Sequence, residues 1–200
     1  IQFKYNNVQI RNNLVNHAAL VRDDAGGIYT GFANETGKVI DGNIILNTVG
    51  NYDGTDGSGY LAHGIYIDDL GTGVTITNNT IANCSNTGIF LHNANNCNVR
   101  NNTIYNCGTT PAVFTKGALY YKHESGYTAI ANNTIKNNIF FSKEQGQIPY
   151  FSSDNTTDAP ISYGVMDSNY YAKPLSADAN IFSVNSNVGG STTYYNLIQW

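Results

Sequence analysis

Carboxylates are scarce in this chain, so each one beside an apolar, strand-like run can be weighed as a candidate for chemistry. Asp68 and Asp69 follow the alternating run 64–67, while Asp24 precedes and Glu35 follows a similar run. Glycoside hydrolysis needs two carboxyl groups: one protonates the leaving oxygen, and the other acts opposite as nucleophile or base. Asp68 is predicted to face outward and is the first choice for one of them, whereas the pattern does not fix the direction of Asp69.

The partner of Asp68 is harder to assign. Asp24 precedes its strand and Asp68 ends the strand of the next repeat, so about seven extended residues would separate them by roughly 23 Å. The useful range is about 5–9.5 Å, and Asp24 therefore qualifies only if the chain bends at Ala25-Gly26-Gly27. Glu35, in the turn after Gly31, is expected to approach Asp68 more easily.

Aromatic residues recur beside these carboxylates. Aligned strands of successive repeats place Tyr29, Tyr66, Phe90 and Tyr120 in one outward column, followed by Gly31, Asp68, His92 and Lys122 in a second, with Asp69, Asn93 and His123 beside it. Aromatic rings can stack on the C–H faces of pyranoses, and polar groups can bind their hydroxyls. The predicted sugar-binding groove uses Tyr29, Tyr66, Phe90 and Tyr120 for stacking and Asp69, His92, Lys122 and His123 for hydroxyl contacts. The alternative is that a loop or a missing part of the chain covers an apolar stripe.

A repeat of about 23 residues positions these columns. The phrase Val74–Cys84 returns as Cys97–Cys107, and looser copies occur at 12–16, 42–47 and 132–137. The anchoring asparagines of all copies lie at 13, 43, 79, 102 and 133, with 169 as a possible sixth. Short alternating apolar runs broken by Gly and Asn are typical of strands. Three short strands and three turns per repeat indicate one coil of a single-stranded parallel β-helix, an all-β solenoid of about five to six coils with loop insertions.

The coil also explains residues for which no catalytic or binding role is predicted. An inward column is predicted at Ile28, Ile65, Ile89 and Leu119. Asparagine tolerates the left-handed conformation of tight corners, and equivalent amides in successive coils can form a hydrogen-bonded ladder. Cys84, Cys97 and Cys107 are an odd set, and stacked inward thiols are favoured over a disulfide.

Composition limits the function classes. Charged residues make up 12% of the 200, the net charge is −4, and asparagine supplies 30 residues. The absence of basic runs argues against a nucleic-acid partner, and no apolar stretch is long enough to span a bilayer. The chain starts and stops within strand-like sequence, so residues 1–200 are interpreted as one β-helix domain, a fragment of a longer protein.

Three phrases resemble secreted bacterial right-handed β-helix proteins of the pectate-lyase-like superfamily, and within it the glycoside hydrolases similar to family 141. They are Asp24–Gly31, His63–Asp69 and the Asn-Asn-Thr-Ile coils. The resemblance implies a right-handed helix, a polysaccharide or oligosaccharide partner, catalytic roles for Asp24 and Asp68, and a secreted, periplasmic or cell-surface bacterial location.

Two other function classes remain open at this point. A polysaccharide lyase would use Lys122 or Arg100 against a uronate, usually with Ca²⁺, for which only Asp53–Gly57 resembles a binding loop. A non-catalytic adhesin, tail fibre or carbohydrate-binding helix would need no outward acids. No cofactor is expected, apart from that Ca²⁺ alternative.

Overall fold

The computed structural model describes residues 1–32, 34–51, 53, 61–110, 117–154, 163–175, 180–186 and 191–199. Every regular element within these ranges is a β-strand. The same ranges contain no helix with the length and apolar character needed to cross a membrane.

The strands form three sheets that the chain visits in turn. The first sheet contains β1 (Gln9–Arg11), β4 (Lys38–Asp41), β7 (Val74–Thr77), β10 (Asn98–Arg100), β13 (Asn133–Lys136) and β16 (Gly164–Asp167). The second contains β2 (Leu14–Asn16), β5 (Ile44–Leu46), β8 (Thr80–Ala82), β11 (Thr103–Tyr105), β14 (Ile139–Phe141) and β17 (Tyr170–Ala172). The third contains β3 (Ala25–Thr30), β6 (Ala62–Ile67), β9 (Thr87–His92), β12 (Gly117–His123), β15 (Ile148–Asp154), β18 (Phe182–Ser186) and β19 (Ser191–Tyr195).

Each strand pairs in parallel with its equivalent one coil away, as β3, β6, β9 and β12 do. The exception among the described strands is the last pair, in which β19 runs antiparallel to β18. Since each coil contributes one strand to every sheet, the molecule is a parallel β-helix, and the six strands in each of the first two sheets agree with the predicted number of coils.

The core lies inside the coil and is apolar. Ile28, Ile65, Ile89 and Leu119 are completely buried there, and their strands pair in the predicted register. Complete burial of such side chains contributes about 1.5–3 kcal/mol each. Cys84, Cys97 and Cys107 are buried free thiols, as the sequence predicted.

A continuous asparagine ladder stabilises the corner between the first and second sheets. Each side-chain N–H donates to the Oδ1 of the next coil at 2.9–3.0 Å, through Asn13, Asn43, Asn79, Asn102, Asn138 and Asn169. The fifth member corrects the predicted anchor at Asn133, which instead accepts a hydrogen bond from the Cys97 backbone. Because backbone N–H groups also donate to these Oδ1 atoms, the orientation of each amide is fixed.

Candidate functional site

The aromatic column lies on the outer face of the third sheet, in the register that the sequence predicted. The rings of Tyr66 and Phe90 stack with centroids 4.6 Å apart, and those of Phe90 and Tyr120 stack at 4.4 Å. Tyr29 meets Tyr66 edge-on at 5.2 Å.

The exposures of these rings correct the expected stacking platform. Tyr66, Phe90 and Tyr120 are only 3%, 5% and 7% exposed, whereas Tyr29 is half-buried. Phe90 is stacked between Tyr66 and Tyr120, and the three rings together leave almost no exposed surface on which a pyranose could stack. The column instead forms a small apolar cluster outside the main core and gives the polar residues beside it a rigid wall.

His63 belongs to this cluster, although the sequence did not single it out. Its ring lies 4.9 Å from that of Tyr66 and 4.7 Å from that of Phe90. Burial lowers the pKa of His63 to about 3, so the imidazole is neutral. Strict alternation from Ile65 would turn position 63 inward. The alternation breaks at Gly64, where an added Cβ would lie 3.2 Å from the inward Cys84 Sγ.

Asp68 is the centre of the polar column, 6% exposed and held by four donors. Its Oδ2 accepts from the Tyr29 hydroxyl at 2.6 Å, and its Oδ1 accepts from the Tyr66 hydroxyl at 2.9 Å and from the Asp69 backbone N–H at 2.8 Å. The ring Nδ1 of His92 lies 3.0 Å from the same Oδ1. Burial alone would raise the pKa of Asp68, but these hydrogen bonds, led by that of His92, lower it to about 2. Asp68 is therefore a strongly stabilised carboxylate.

His92 lies between carboxylates on both of its ring nitrogens. Besides Asp68, its Nδ1 is 3.5 Å from Asp69 Oδ1, and its Nε2 is 3.6 Å from Glu124 Oε1. The Nε2 atom is buried and makes no hydrogen bond within the described residues. Lys122 forms an ion pair with the same Glu124 oxygen, so the charge of this lysine is largely neutralised.

Asp69 is fixed by two side chains and does not point freely outward. Its Oδ1 accepts from the Asn93 amide at 2.5 Å, and its Oδ2 accepts from the Tyr127 hydroxyl at 2.8 Å. Asp69 is 8% exposed and therefore holds neighbouring segments together. His123, expected beside it, is buried.

Asp24 is electrostatically coupled to this cluster. Burial by its surroundings raises its pKa, although the side chain reaches solvent, and the charges of Asp68 and Asp23 raise it further. The charge of Asp68 acts on Asp24, and the extended-strand estimate of roughly 23 Å between them is an upper limit. The chain bends here, because Asp24 has a φ of 48° and Gly27 faces the core together with the next residue, Ile28.

Glu35 does not join the cluster. Its Oε2 accepts from the Tyr5 backbone N–H at 3.0 Å and lies 3.6 Å from the buried Lys38 Nζ. Of the carboxylates considered from the sequence, the structure thus brings Asp24, Asp68 and Asp69 towards one face and leaves Glu35 at the next corner.

One metal-like arrangement occurs among the described residues. Asp68, Asp69 and His92 each offer a ligand atom, and these atoms lie within 4.8 Å of one another. The carboxylate oxygens already accept hydrogen bonds from hydroxyl and amide donors, and His92 Nδ1 faces Asp68. A cation would have to displace these donors, so the residues fit a hydrogen-bonded network better. In the Ca²⁺-like phrase, residues 54–57 lie outside the described residues.

Comparison with known proteins bears on the fold. The family model for a right handed beta helix region matches residues 1–159. Neither the curated proteins nor the solved structures give a match. The matched region covers most of the chain and fits the pectate-lyase-like superfamily broadly. The chain therefore belongs to the right-handed β-helix family.

Proposed function

We propose that this β-helix is a glycoside hydrolase acting on a polysaccharide, with Asp24 as general acid and Asp68 as the ionised carboxylate. The observation that carries the proposal is the opposite direction of the two pKa shifts. The pKa of Asp24 is raised, by burial first and then by the charge of Asp68. The pKa of Asp68 is lowered to about 2 by its hydrogen bonds. Paired groups whose pKa values are pushed apart are the usual basis of an acid and base assignment.

The chemistry follows from these protonation states. Asp24 keeps its proton to higher pH than an ordinary aspartate and donates it to the glycosidic oxygen as the bond to the anomeric carbon breaks. Asp68 stays charged and faces the positive charge that develops on the sugar ring, before water completes the hydrolysis. The donors around Asp68 keep its position constant during this step.

The contacts of the basic residues disfavour a lyase. Lys122 is paired with Glu124, and Arg100 lies on β10 in the first sheet, where its Nε donates to Asn98. Neither residue supports proton abstraction next to a uronate carboxylate. A binding-only β-helix would need no such separation of carboxyl pKa values.

A panel of polysaccharides tests the proposal with the wild type, Asp24→Asn and Asp68→Asn. Hydrolysis releases reducing ends without the ultraviolet absorbance of an unsaturated product, and both variants should lose about 10²-fold or more in kcat. Asp167→Asn, an exposed carboxylate on β16, is the matched control and should retain activity. Unsaturated products would establish a lyase, and binding without cleavage would establish a binding module. Thermal melts identify any variant that fails to fold, and Asp24→Asn, at the more exposed position, then decides the test.

A further inference from the structure

An open groove of about 400 Å³ lies at the corner where the third sheet turns into the first. The described residues that line it carry no charge, and they include Leu70, Thr72, Asn95, Asn96, Ala129 and Asn132. Its volume falls in the range of ligand sites, about 300–1,000 Å³. The groove starts beside the polar cluster, because Leu70 directly follows Asp69.

One wall of the groove is anchored to that cluster. The segment after β12 contributes Thr128 and Ala129 to the lining. Tyr127 precedes them and donates its hydroxyl to Asp69 at 2.8 Å, and the Glu124 backbone N–H donates to Asn93 at 2.8 Å. These two bonds fix the start of the segment, so the wall is preformed.

The floor offers amides and an apolar edge. Asn96 donates one side-chain N–H to Thr72 at 3.1 Å. Its second N–H and its amide oxygen are not used by the described residues. Leu70 is 40% exposed with a φ of 61°, a conformation that is unfavourable for a bulky side chain and is held only where the surroundings impose it. Amides next to a fixed apolar side chain suit a ligand with hydroxyls and C–H faces.

The charges around the groove select against an acidic ligand. Asp68, Asp69 and Glu124 lie on the adjoining face, and Lys122 already forms an ion pair with Glu124. A uronate carboxylate would be repelled by this excess of negative charge, and no basic side chain among the described lining residues compensates.

We propose that this groove binds a neutral oligosaccharide segment of the substrate and leads it to Asp24 and Asp68. The amides of Asn96 and Asn132 bind its hydroxyls, and Leu70 contacts its C–H face. This inference rests on the proposed carbohydrate function and adds to it a binding surface and a substrate class.

Calorimetric titration tests the groove with neutral gluco-, xylo-, manno- and arabino-hexasaccharides and with hexagalacturonate. The double variant Asn96→Asp/Asn132→Asp keeps side-chain size at two positions with left-handed backbone, φ 54° and 58°, and adds negative charge. The matched control is Asn101→Asp, an exposed asparagine with φ 56° at another corner. All titrations use the Asp24→Asn background, so that no ligand is cleaved.

A neutral hexasaccharide should bind, and the double variant should bind it at least about tenfold more weakly, while Asn101→Asp should not change its affinity. Equal affinity of the double variant, preference for hexagalacturonate, or no binding of any neutral ligand would overturn the inference. Failure of the hydrolase proposal is distinguishable, because it would leave neutral binding intact while the wild type cleaves nothing.

Discussion

His92 Nδ1 lies 3.0 Å from Asp68 Oδ1, and this contact joins the ends of two neighbouring strands, β6 and β9. Tyr29 on β3 and Tyr66 on β6 complete the side-chain donors to the same carboxylate. Side chains from three successive coils therefore determine the ionisation state of Asp68. The parallel register of the third sheet is what brings these donors together.

His92→Phe should move the acid limb of the pH–rate profile upward. The hydrogen bond from His92 is the largest of the effects that lower the pKa of Asp68 to about 2, so its removal lets the pKa rise towards about 3.9. Phenylalanine preserves the ring stacking on Phe90, whose centroid is 5.2 Å away. The dependence of kcat/KM on pH measures the shift.

His17→Phe, at an exposed position away from the third sheet, is the control and should leave the acid limb in place. An unchanged acid limb in His92→Phe, with activity retained, would show that Asp68 does not govern the reaction.

The same carboxylate should make the fold sensitive to acid. The pKa of Asp68 is lower in the folded chain, about 2 against 3.8, so its stabilisation is complete above the unfolded pKa and is lost as the pH falls towards 2. The loss is about 2 kcal/mol. Urea unfolding of Tyr29→Phe, which removes the donor to Oδ2, should show a smaller loss between pH 5 and pH 2 than the wild type. Tyr5→Phe, 74% exposed, should behave as the wild type does.

The asparagine ladder should contribute strongly to stability at its buried positions. Asn79 accepts from the Asn43 backbone and amide, and donates to Ile40 and Asn102. Asn79→Ala leaves these buried groups without partners, which should lower the free energy of unfolding by more than about 2 kcal/mol. Urea denaturation measures the loss. Asn83→Ala, in an exposed amide ladder, should cost less than about 1 kcal/mol, and equal losses would contradict the prediction.

The ladder also shows how far the sequence predicts this fold. Five of its six members follow from the repeat, although Asn43 follows a glycine and Asn169 a serine, and of these five only Asn13, Asn79 and Asn102 close an Asn-Asn phrase. The fifth coil contains two such phrases, 132–133 and 137–138, and both begin with a residue in the left-handed conformation, φ 58° and 57°. Local chemistry is the same at the two corners, so only strand register, which pairs β13 with β10, distinguishes Asn133 from Asn138.

Glu35→Gln should lower stability without lowering activity. Lys38 is completely buried, and Glu35 is the carboxylate nearest its Nζ, at 3.6 Å. Removing that charge leaves a buried cation uncompensated, which should cost about 1–3 kcal/mol. Lys38→Met removes the cation instead and should be neutral or stabilising. Thermal melts and kcat measure both effects, and a large drop in kcat for Glu35→Gln at full stability would return Glu35 to the active site.

Glu35 and His63 mark the limits of sequence reasoning about the site. Alternation and register placed Tyr29, Tyr66, Asp68 and His92 on the correct face, because both follow directly from strand geometry. The outward direction of His63 could not be predicted because the alternation breaks at Gly64. The ion pair of Glu35 depends on the position of the buried Lys38 Nζ. The exposure of the aromatic rings could not be predicted from the sequence pattern either, because it depends on how rings of successive coils stack in the assembled sheet.

Asp23→Asn should move the alkaline limb of the pH–rate profile downward. The charge of Asp23 raises the pKa of Asp24, after burial and Asp68. Without that charge the pKa of Asp24 falls, and a general acid with a lower pKa loses its proton, and its activity, at lower pH. The shift should be a fraction of a pH unit, because the effects of Asp68 and of burial remain.

Asparagine keeps an oxygen that can accept from the Leu61 backbone N–H, as Asp23 Oδ1 does. Asp167→Asn, remote from the cluster, should leave the limb unchanged. An upward shift, or none in a folded variant, would show that Asp24 is not the group whose proton limits the reaction.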